Sequence, residues 1–531
     1  MPLQNSTALT IFAVVVYISQ FFQGSGWLGS LKLALLASAA LILFSFVATG
    51  LYNISILHPL SKFPGPLLNK LSNLKNAFIV LSGRRSWVEM ELHAKYGTIV
   101  RTGPNTISIN SLAAVGPIYA AANALDKSSA YQIRQGAGRG LFFMQSRVEH
   151  NARRRIWADA FSVNAIQGYR PALEKRTTEL LECIEERRSA DGVIDFLDCA
   201  RHWAYDVMGD VTFGESYELN LMQHGDKGKL VNIGQRAMIV FEVLGQVPFL
   251  ADLMQRLPVT KNIRRLYGTT HMVVDLRLKK PVTPKSDIAA HLIAGDDKGN
   301  DGLSVDDLRA EAIFAIQAGS DATGAALAVL FFYLLGNRAA YATLRAELDK
   351  AAACHDGVLD THAITELPYL GAVVDEGIRL GAPFGGLPRV VPDEGLVLSL
   401  GGSLGSVAIP PGTIVSVPAH TQHVSEEHFW PEPLAFRPER WLPGGLGPGS
   451  RANRNAVLAF SFGPFGCLGR AFAVEELRVG VARLMLAYDM ELAPSPAFDS
   501  ERFLKGVKNM RTTVFAHPLL VVATRRKEYA G

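Results

Sequence analysis

From Leu33 to Ile54 the chain carries no charged side chain and is predominantly apolar. A run of that length can cross a bilayer as one helix. Burial in a soluble core fits poorly with so long an uncharged run near the start of the chain. A second apolar run, Ala8 to Phe22, is interrupted by Thr10, Ser19 and Gln20 and is short for a span. One or two membrane helices are therefore expected. The first charge is Lys32, so the positive n-region of a secretory signal is missing. Lys62, Lys70, Lys75, Arg84 and Arg85 follow the second run. That excess places the rest of the chain on the cytosolic side.

Length bounds what comes after. The 531 residues hold an anchor over 1–56, a proline-containing hinge and linker over 57–82, and one large domain over 83–531. A net charge of +4 is too small to argue for nucleic acid. The four cysteines, Cys183, Cys199, Cys354 and Cys467, are irregularly spaced, giving neither a zinc pattern nor a disulfide framework.

A helix is expected over 83–95, ending before Gly97, with short strands over 97–103 and 105–110. Helices are expected over Pro171–Arg188, Phe196–Phe213 and Leu230–Arg256, the last broken by Pro248. Helix dominates to about residue 380, and short strands and loops follow. The fold class is mainly α with small β-sheets.

Four places carry chemistry. Phe460–Arg470 winds Gly463, Pro464, Gly466 and Gly469 around Cys467, just ahead of a helical run. A cysteine at a helix N-terminus is placed to be a thiolate; the alternative is a structural cysteine beside a turn. Gly463 and Gly469 would let the backbone approach a flat, bulky ligand. Glu311–Phe332 reads as a long apolar helix with Asp321 deep inside it, either used or salt-bridged. Ala318 and Gly319 leave its surface bare. Arg147–Arg155 is a basic run in which His150 and Arg154 share a helix face, and Glu376 and Arg379 can pair at i, i+3.

Together these segments resemble the cytochrome P450 superfamily, most nearly the fungal microsomal monooxygenases, over about residues 60–524. Leu387–Val391 and Arg147–His150 are locally similar to the benzoate-hydroxylase-like group. The loop resembles the haem signature F-x-x-G-x-R-x-C-x-G: Phe460, Gly463, Cys467 and Gly469 match, and Phe465 stands where the family has a basic residue. The resemblance implies that Cys467 is the axial thiolate ligand of haem b. It also implies that Arg154, His150 and Arg389 contact the haem propionates, replacing the cation missing at Phe465. Glu376, Arg379 and Arg440 would form a structural network behind the loop. Ala318, Gly319 and Asp321 match the A-G-x-[DE]-T-[TS] helix, where an acid and an alcohol deliver protons. Ala322 replaces the usual threonine and Thr323 follows, so the path runs through Asp321, ordered water or a substrate hydroxyl. Ala318, Gly319, Ala322 and Phe384 would line the substrate pocket. Lys62–Pro66 resembles the microsomal hinge that follows the anchor.

The implied activity is insertion of one oxygen atom from O2 into an apolar small molecule, a terpenoid or aromatic intermediate of specialised metabolism. Its implied setting is the endoplasmic reticulum membrane, facing the cytosol. Electrons would come from NADPH through a separate NADPH–cytochrome P450 reductase, with cytochrome b5 as an optional second donor. Ala322 keeps open an isomerase or dehydratase acting without reductase. Phe465 keeps open a non-catalytic haem-binding or membrane scaffold protein.

Overall fold

The computed structural model of the chain describes residues 2–24, 26–120, 124–132, 138–216, 219–247, 250, 261–295, 302–355, 359–381, 387–509 and 513–527. Trp27–Ile54 is one unbroken helix, long and apolar enough to span a bilayer and almost wholly uncovered by the rest of the protein. Pro2–Phe22 is a separate helix packed against it. Among the described residues its apolar stretch, Phe12–Phe22, is shorter than a span. Of the one or two membrane helices expected, one N-terminal helix therefore has spanning length and composition.

This helix ends at Ile54. Lys62–Pro66 is strapped to the first strand rather than hanging free. Leu60 and Phe63 are buried, and Arg101 N–H donates to Pro64 O at 2.7 Å. A Cβ on Gly65 would stand 2.2 Å from Arg101 O, so this close approach admits only glycine.

The body is built around Val305–Gly336. Ser304 caps it by accepting the Asp307 N–H at 3.1 Å. It passes the length and hydropathy test for a membrane span, yet most of it is buried in protein. Leu327, Leu330, Phe331 and Leu334 are fully buried, and the helix packs against Phe196–Phe213, Pro368–Gly381 and Arg470–Ala487. An all-round apolar helix is satisfied equally by lipid or by neighbouring helices; here the neighbours cover it.

Phe196–Phe213 matches expectation. The helix predicted to start at Pro171 starts at Val163, because Ser162 accepts the Ala165 N–H and Pro171 is carried inside. Leu230–Gln246 is helical; of the rest of the predicted 230–256 helix, 248–249 and 251–256 lie outside the described residues. The main sheet has the order Ile99–Gly103, Thr106–Ile109, Ile414–Ser416, Arg389–Val390, with only the middle pairing parallel. This sheet holds Arg389 beside the cysteine loop.

Behind that loop, Glu376 is fully buried and saturated with donors. Arg379 binds it through Nη2 at 2.7 Å and Nε at 2.8 Å, Arg440 Nε at 2.9 Å, and Trp441 Nε1 at 2.9 Å. Arg379 Nη1 also donates to His423 O and Pro433 O, both at 2.6 Å. His423 Nε2 then accepts the Leu458 N–H at 2.7 Å, at the entrance to the cysteine loop. Removing one partner of such a network strands the others as buried charge. Glu376→Ala should cost about 3–5 kcal/mol of stability, read by denaturant unfolding of the solubilised protein. Wild-type stability in that variant would contradict the network's supporting role.

Candidate functional site

The cysteine loop turns through Gly463, whose φ is +64°. A Cβ there would meet Tyr119 O at 2.2 Å, so the Tyr119 backbone demands glycine at 463. Gly466 N–H closes the turn on Gly463 O at 3.0 Å, and Cys467 N–H returns to Phe460 O at 2.8 Å. The helix Arg470–Ala487 begins directly after. Cys467 is enclosed by the protein, yet its own surface is free because it opens into a cavity. The Gly469 N–H, Arg154 and Arg470 favour its thiolate, but burial outweighs them and pushes the thiol pKa up.

That cavity, of about 310 Å³, brings together most of the residues singled out in the sequence. Ala318, Gly319, Ala322 and Thr323 line it from the central helix, and Phe460, Phe465, Cys467 and Gly469 from the loop. His150 and Arg154 line it from Arg147–Asp159. Gly319 is not a bare groove, however. A Cβ there would collide with Met208 Sδ at 2.7 Å, so Met208 fills the space that glycine leaves. Phe384 lies outside the described residues. A more open depression between Arg187, Asp198, His202 and Asp226 is polar, and Arg187 already binds Asp198 and His202; the enclosed cavity is the one with a chemical constellation.

Asp321 turns away from the cavity. Tyr205 O–H donates to Oδ1 at 3.0 Å, Gln235 Nε2 reaches the same oxygen at 3.5 Å, and Gln317 Nε2 binds Oδ2. Burial nevertheless raises its pKa to about 6, opposed by these donors and by Arg201.

Two further groups were not foreseen. Glu476, on the helix after Cys467, lines the same cavity and is almost fully buried. Thr323 Oγ1 donates to its Oε2 at 3.4 Å, while Oε1 has no partner among the described residues. Burial pushes its pKa up to about 8. Its position between Phe472 and Val479 on one helix face was the available signal. Lys127 also lines the cavity, with Nζ donating to Phe142 O at 2.7 Å and lying 4.9 Å from the Phe465 ring centre. No spacing pattern marks it in the sequence.

Around Phe465 the electrostatics are one-sided. The Arg389 guanidinium lies 4.8 Å from the ring centre and the His150 ring 4.5 Å. Arg389 is fully buried, and its Nε and Nη2 have no partner among the described residues; nor has His150 Nδ1. Arg154 Nη1 donates to Gly466 O at 2.5 Å. Burial lowers the His150 pKa to about 3, and the positive fields of Lys127 and Arg154 add to this. Buried donors left over in this way fit an anion.

The sequence profile of the cytochrome P450 family matches residues 65–513, and the chain belongs to that family. It is 31% identical to cytochrome P450 monooxygenase AKT7 of Alternaria alternata, over 86% of this chain and 89% of that protein. It is 29% identical to monooxygenase cicH of Emericella nidulans, over 85% and 92%, and 28% identical to tryprostatin B 6-hydroxylase of Neosartorya fischeri, over 89% and 83%. These identities support the fungal monooxygenases as a group and do not single out the benzoate-hydroxylase-like branch. The fold implies a haem with a cysteine ligand. The residues fit it: one thiol opening into an enclosed cavity, and unpaired buried donors where a dicarboxylate edge would lie.

Glu476 sets a pH dependence. Its ordinary pKa of 4.5 rises to about 8 on folding, so the folded state holds the extra proton between those values. That contribution to stability is present below about 4.5 and is lost as pH rises towards about 8. Glu476→Gln should flatten the fall in Tm across this window, measured by thermal melts at several pH values. Equal slopes in variant and wild type would contradict a buried, protonated Glu476.

Proposed function

We propose that the chain is a membrane-anchored haem-thiolate monooxygenase that inserts one oxygen atom from O2 into an apolar small molecule, a terpenoid or aromatic intermediate of specialised metabolism. In this reading 1–56 anchors the protein in the endoplasmic reticulum membrane, 57–82 packs the chain onto the body, and 83–531 is the catalytic domain facing the cytosol. The observation that carries it is one enclosed cavity shared by the Cys467 thiol and the small residues Ala318 and Ala322. The tryprostatin B hydroxylase among the relatives supports hydroxylation as the reaction type. Electrons come from a separate NADPH–cytochrome P450 reductase, as the family typically requires, with cytochrome b5 as a second donor.

Haem bound here, ligated by Cys467, supplies dioxygen activation at iron. The chain's own residues do the rest. Arg389 and His150 would hold the propionates through their unpartnered donors, with Arg154 beside them. Ala318 and Ala322 keep the helix surface low, leaving room for substrate. Phe142 and Phe314, stacked at 4.4 Å, form an apolar wall of the same cavity, which suits a flat or rigid hydrocarbon body. Glu376, Arg379 and Arg440 hold the loop and touch no substrate.

Proton supply uses two stores. Asp321, with a pKa raised to about 6, takes up and releases a proton just below neutrality on the far side of the central helix. Glu476 keeps one at its Oε pair, with the Thr323 hydroxyl beside it on the same cavity wall. Ala322 offers no hydroxyl, so Thr323 is the nearest alcohol on that helix. General acid catalysis needs a donor within hydrogen-bond reach or one water away, and Thr323 meets the cavity where Asp321 does not.

The first test is the carbon monoxide difference spectrum of the reduced, solubilised protein. Wild type should give the thiolate band near ~450 nm and Cys467→Ala should lose it, whereas Cys183, Cys199 and Cys354 are replaceable. An unchanged band in Cys467→Ala would remove the assignment. Turnover should require reductase and NADPH; product formed without either favours isomerase chemistry.

For the proton stores, Asp321→Asn and Glu476→Gln should each lower product formed per NADPH consumed. The combined loss of turnover should be on the order of 10²-fold, with the carbon monoxide band retained. Full coupling in both variants would refute the relay.

A further inference from the structure

The central helix gives the cavity a mostly apolar wall, and one acid interrupts it. Glu311, Ala315, Ala318 and Ala322 recur at helical spacing on Val305–Gly336, and all four line the cavity. Glu311 is fully buried at one end of this stripe. At 1.5 Å per residue it stands about 10 Å along the helix from Ala318. Phe314, one turn along the helix, also lines the cavity and stacks on Phe142 with ring centres 4.4 Å apart.

The two oxygens of Glu311 are not equivalent. Oε1 accepts the Leu141 N–H at 2.9 Å and Arg153 Nη1 at 3.2 Å. Oε2 has no partner among the described residues. The Trp157 indole, on the same cavity wall, favours the charged form of Glu311, yet its Nε1 is also without a partner of hydrogen-bond geometry among the described residues. A carboxylate offers about four lone-pair sites, and Leu141 and Arg153 occupy one oxygen only. Arg153 is itself shared, since its Nη2 binds Asp307 Oδ2 at 2.8 Å and its Nη1 reaches Arg139 O at 3.2 Å. One guanidinium thus serves two acids. Lys127, another cation lining the cavity, donates to Phe142 O at 2.7 Å and Leu141 O at 3.4 Å. A buried acceptor left open near aromatic faces suits a donor, and a cationic donor most of all.

We propose that Glu311 is a specificity-determining residue of this cavity: it selects substrates that carry a hydrogen-bond donor, an amine or a hydroxyl, at the end remote from the atoms lying against Ala318 and Ala322. This rests on the haem-thiolate reading above and narrows its substrate class to elongated apolar molecules with one polar head. Oε1 stays with Leu141 and Arg153, and Oε2 takes the donor. Glu311→Gln then reverses the site. Leu141 N–H and Arg153 are both donors and keep the amide oxygen. The amide NH2 takes the place of Oε2 and turns an acceptor into a donor.

The test uses full-length, detergent-solubilised, haem-loaded protein, titrated with N-alkylimidazoles whose ring nitrogen binds iron and whose tails reach up to about 10 Å. Tails of matched length end in methyl, ammonium, hydroxyl or methyl ketone, and the Soret shift gives each Kd. In wild type the ammonium or the hydroxyl tail should bind about tenfold tighter than the methyl tail, the scale of one hydrogen bond to a charged group. The tighter of the two identifies the donor. The ketone, an acceptor only, should gain nothing. In Glu311→Gln the ammonium tail should bind no better than methyl, and the ketone tail should gain affinity. A wild type that prefers neither donor tail overturns the proposal, as does one that prefers the ketone, or an unchanged order in Glu311→Gln. Should Glu311→Gln fail to fold, the wild-type order decides alone. A wild type in which no imidazole shifts the Soret band overturns the haem reading itself, whereas shifts of equal affinity for every tail overturn only the role of Glu311.

Discussion

The buried carboxylate of Glu376 is the interaction on which the site's geometry rests. It collects two arginines, an indole N–H and the Arg437 N–H at 3.0 Å. Arg379 passes the constraint to His423 and Pro433, and His423 passes it to Leu458. From there a few residues lead to Phe460, whose carbonyl accepts the Cys467 N–H. A glycine-rich loop has many conformations open to it, and ordering it costs entropy. This chain of buried polar contacts, with the Glu376 carboxylate saturated, selects one of them.

The cavity presents the opposite electrostatic condition. Donors around Glu376 are matched by acceptors, whereas Arg389 and His150 keep unpartnered nitrogens around Phe465. A protein interior tolerates such groups when a ligand completes them. Burial holds His150 neutral, and the positive fields of Lys127 and Arg154 add to this. A carboxylate saturated with donors supports the loop, and the leftover donors beside it fit an anion.

Three buried acids, Asp321, Glu476 and Glu311, are all raised by burial, to about 6, 8 and 7. Their roles diverge with their partners. Glu311 Oε1 is tied to the Leu141 N–H at 2.9 Å and to Arg153 at 3.2 Å, so it fastens the cavity wall. Asp321 is held by neutral donors on the outer face of the central helix. Glu476 alone joins a hydroxyl that borders the cavity. Depth of burial makes all three weak acids; neighbours decide which can pass a proton inward.

Much was legible from the residues. An uncharged run dictates a helix wherever it lies, because no other local structure pairs its own backbone groups in hydrocarbon. Motif spacing located Cys467, His150, Arg154, Ala318 and Ala322, because helix periodicity and a tight turn are local properties, and all of them meet in one cavity. Gly463 and Gly319 stand out in the sequence, but the packing reason for each is a partner distant in sequence, Tyr119 and Met208. The turning away of Asp321 depends on Tyr205 and Gln235 arriving from other helices. Lys127 was invisible because a lone lysine in a short polar stretch has no period and no motif. Its meaning arises only when the sheet edge carrying Arg389 bridges to it and Phe465 rises from the loop between them. Local sequence determines which backbone shapes are affordable and where single chemistries sit; only tertiary packing decides which distant charges share one buried space, since burial and pairing depend on contacts that no short stretch contains.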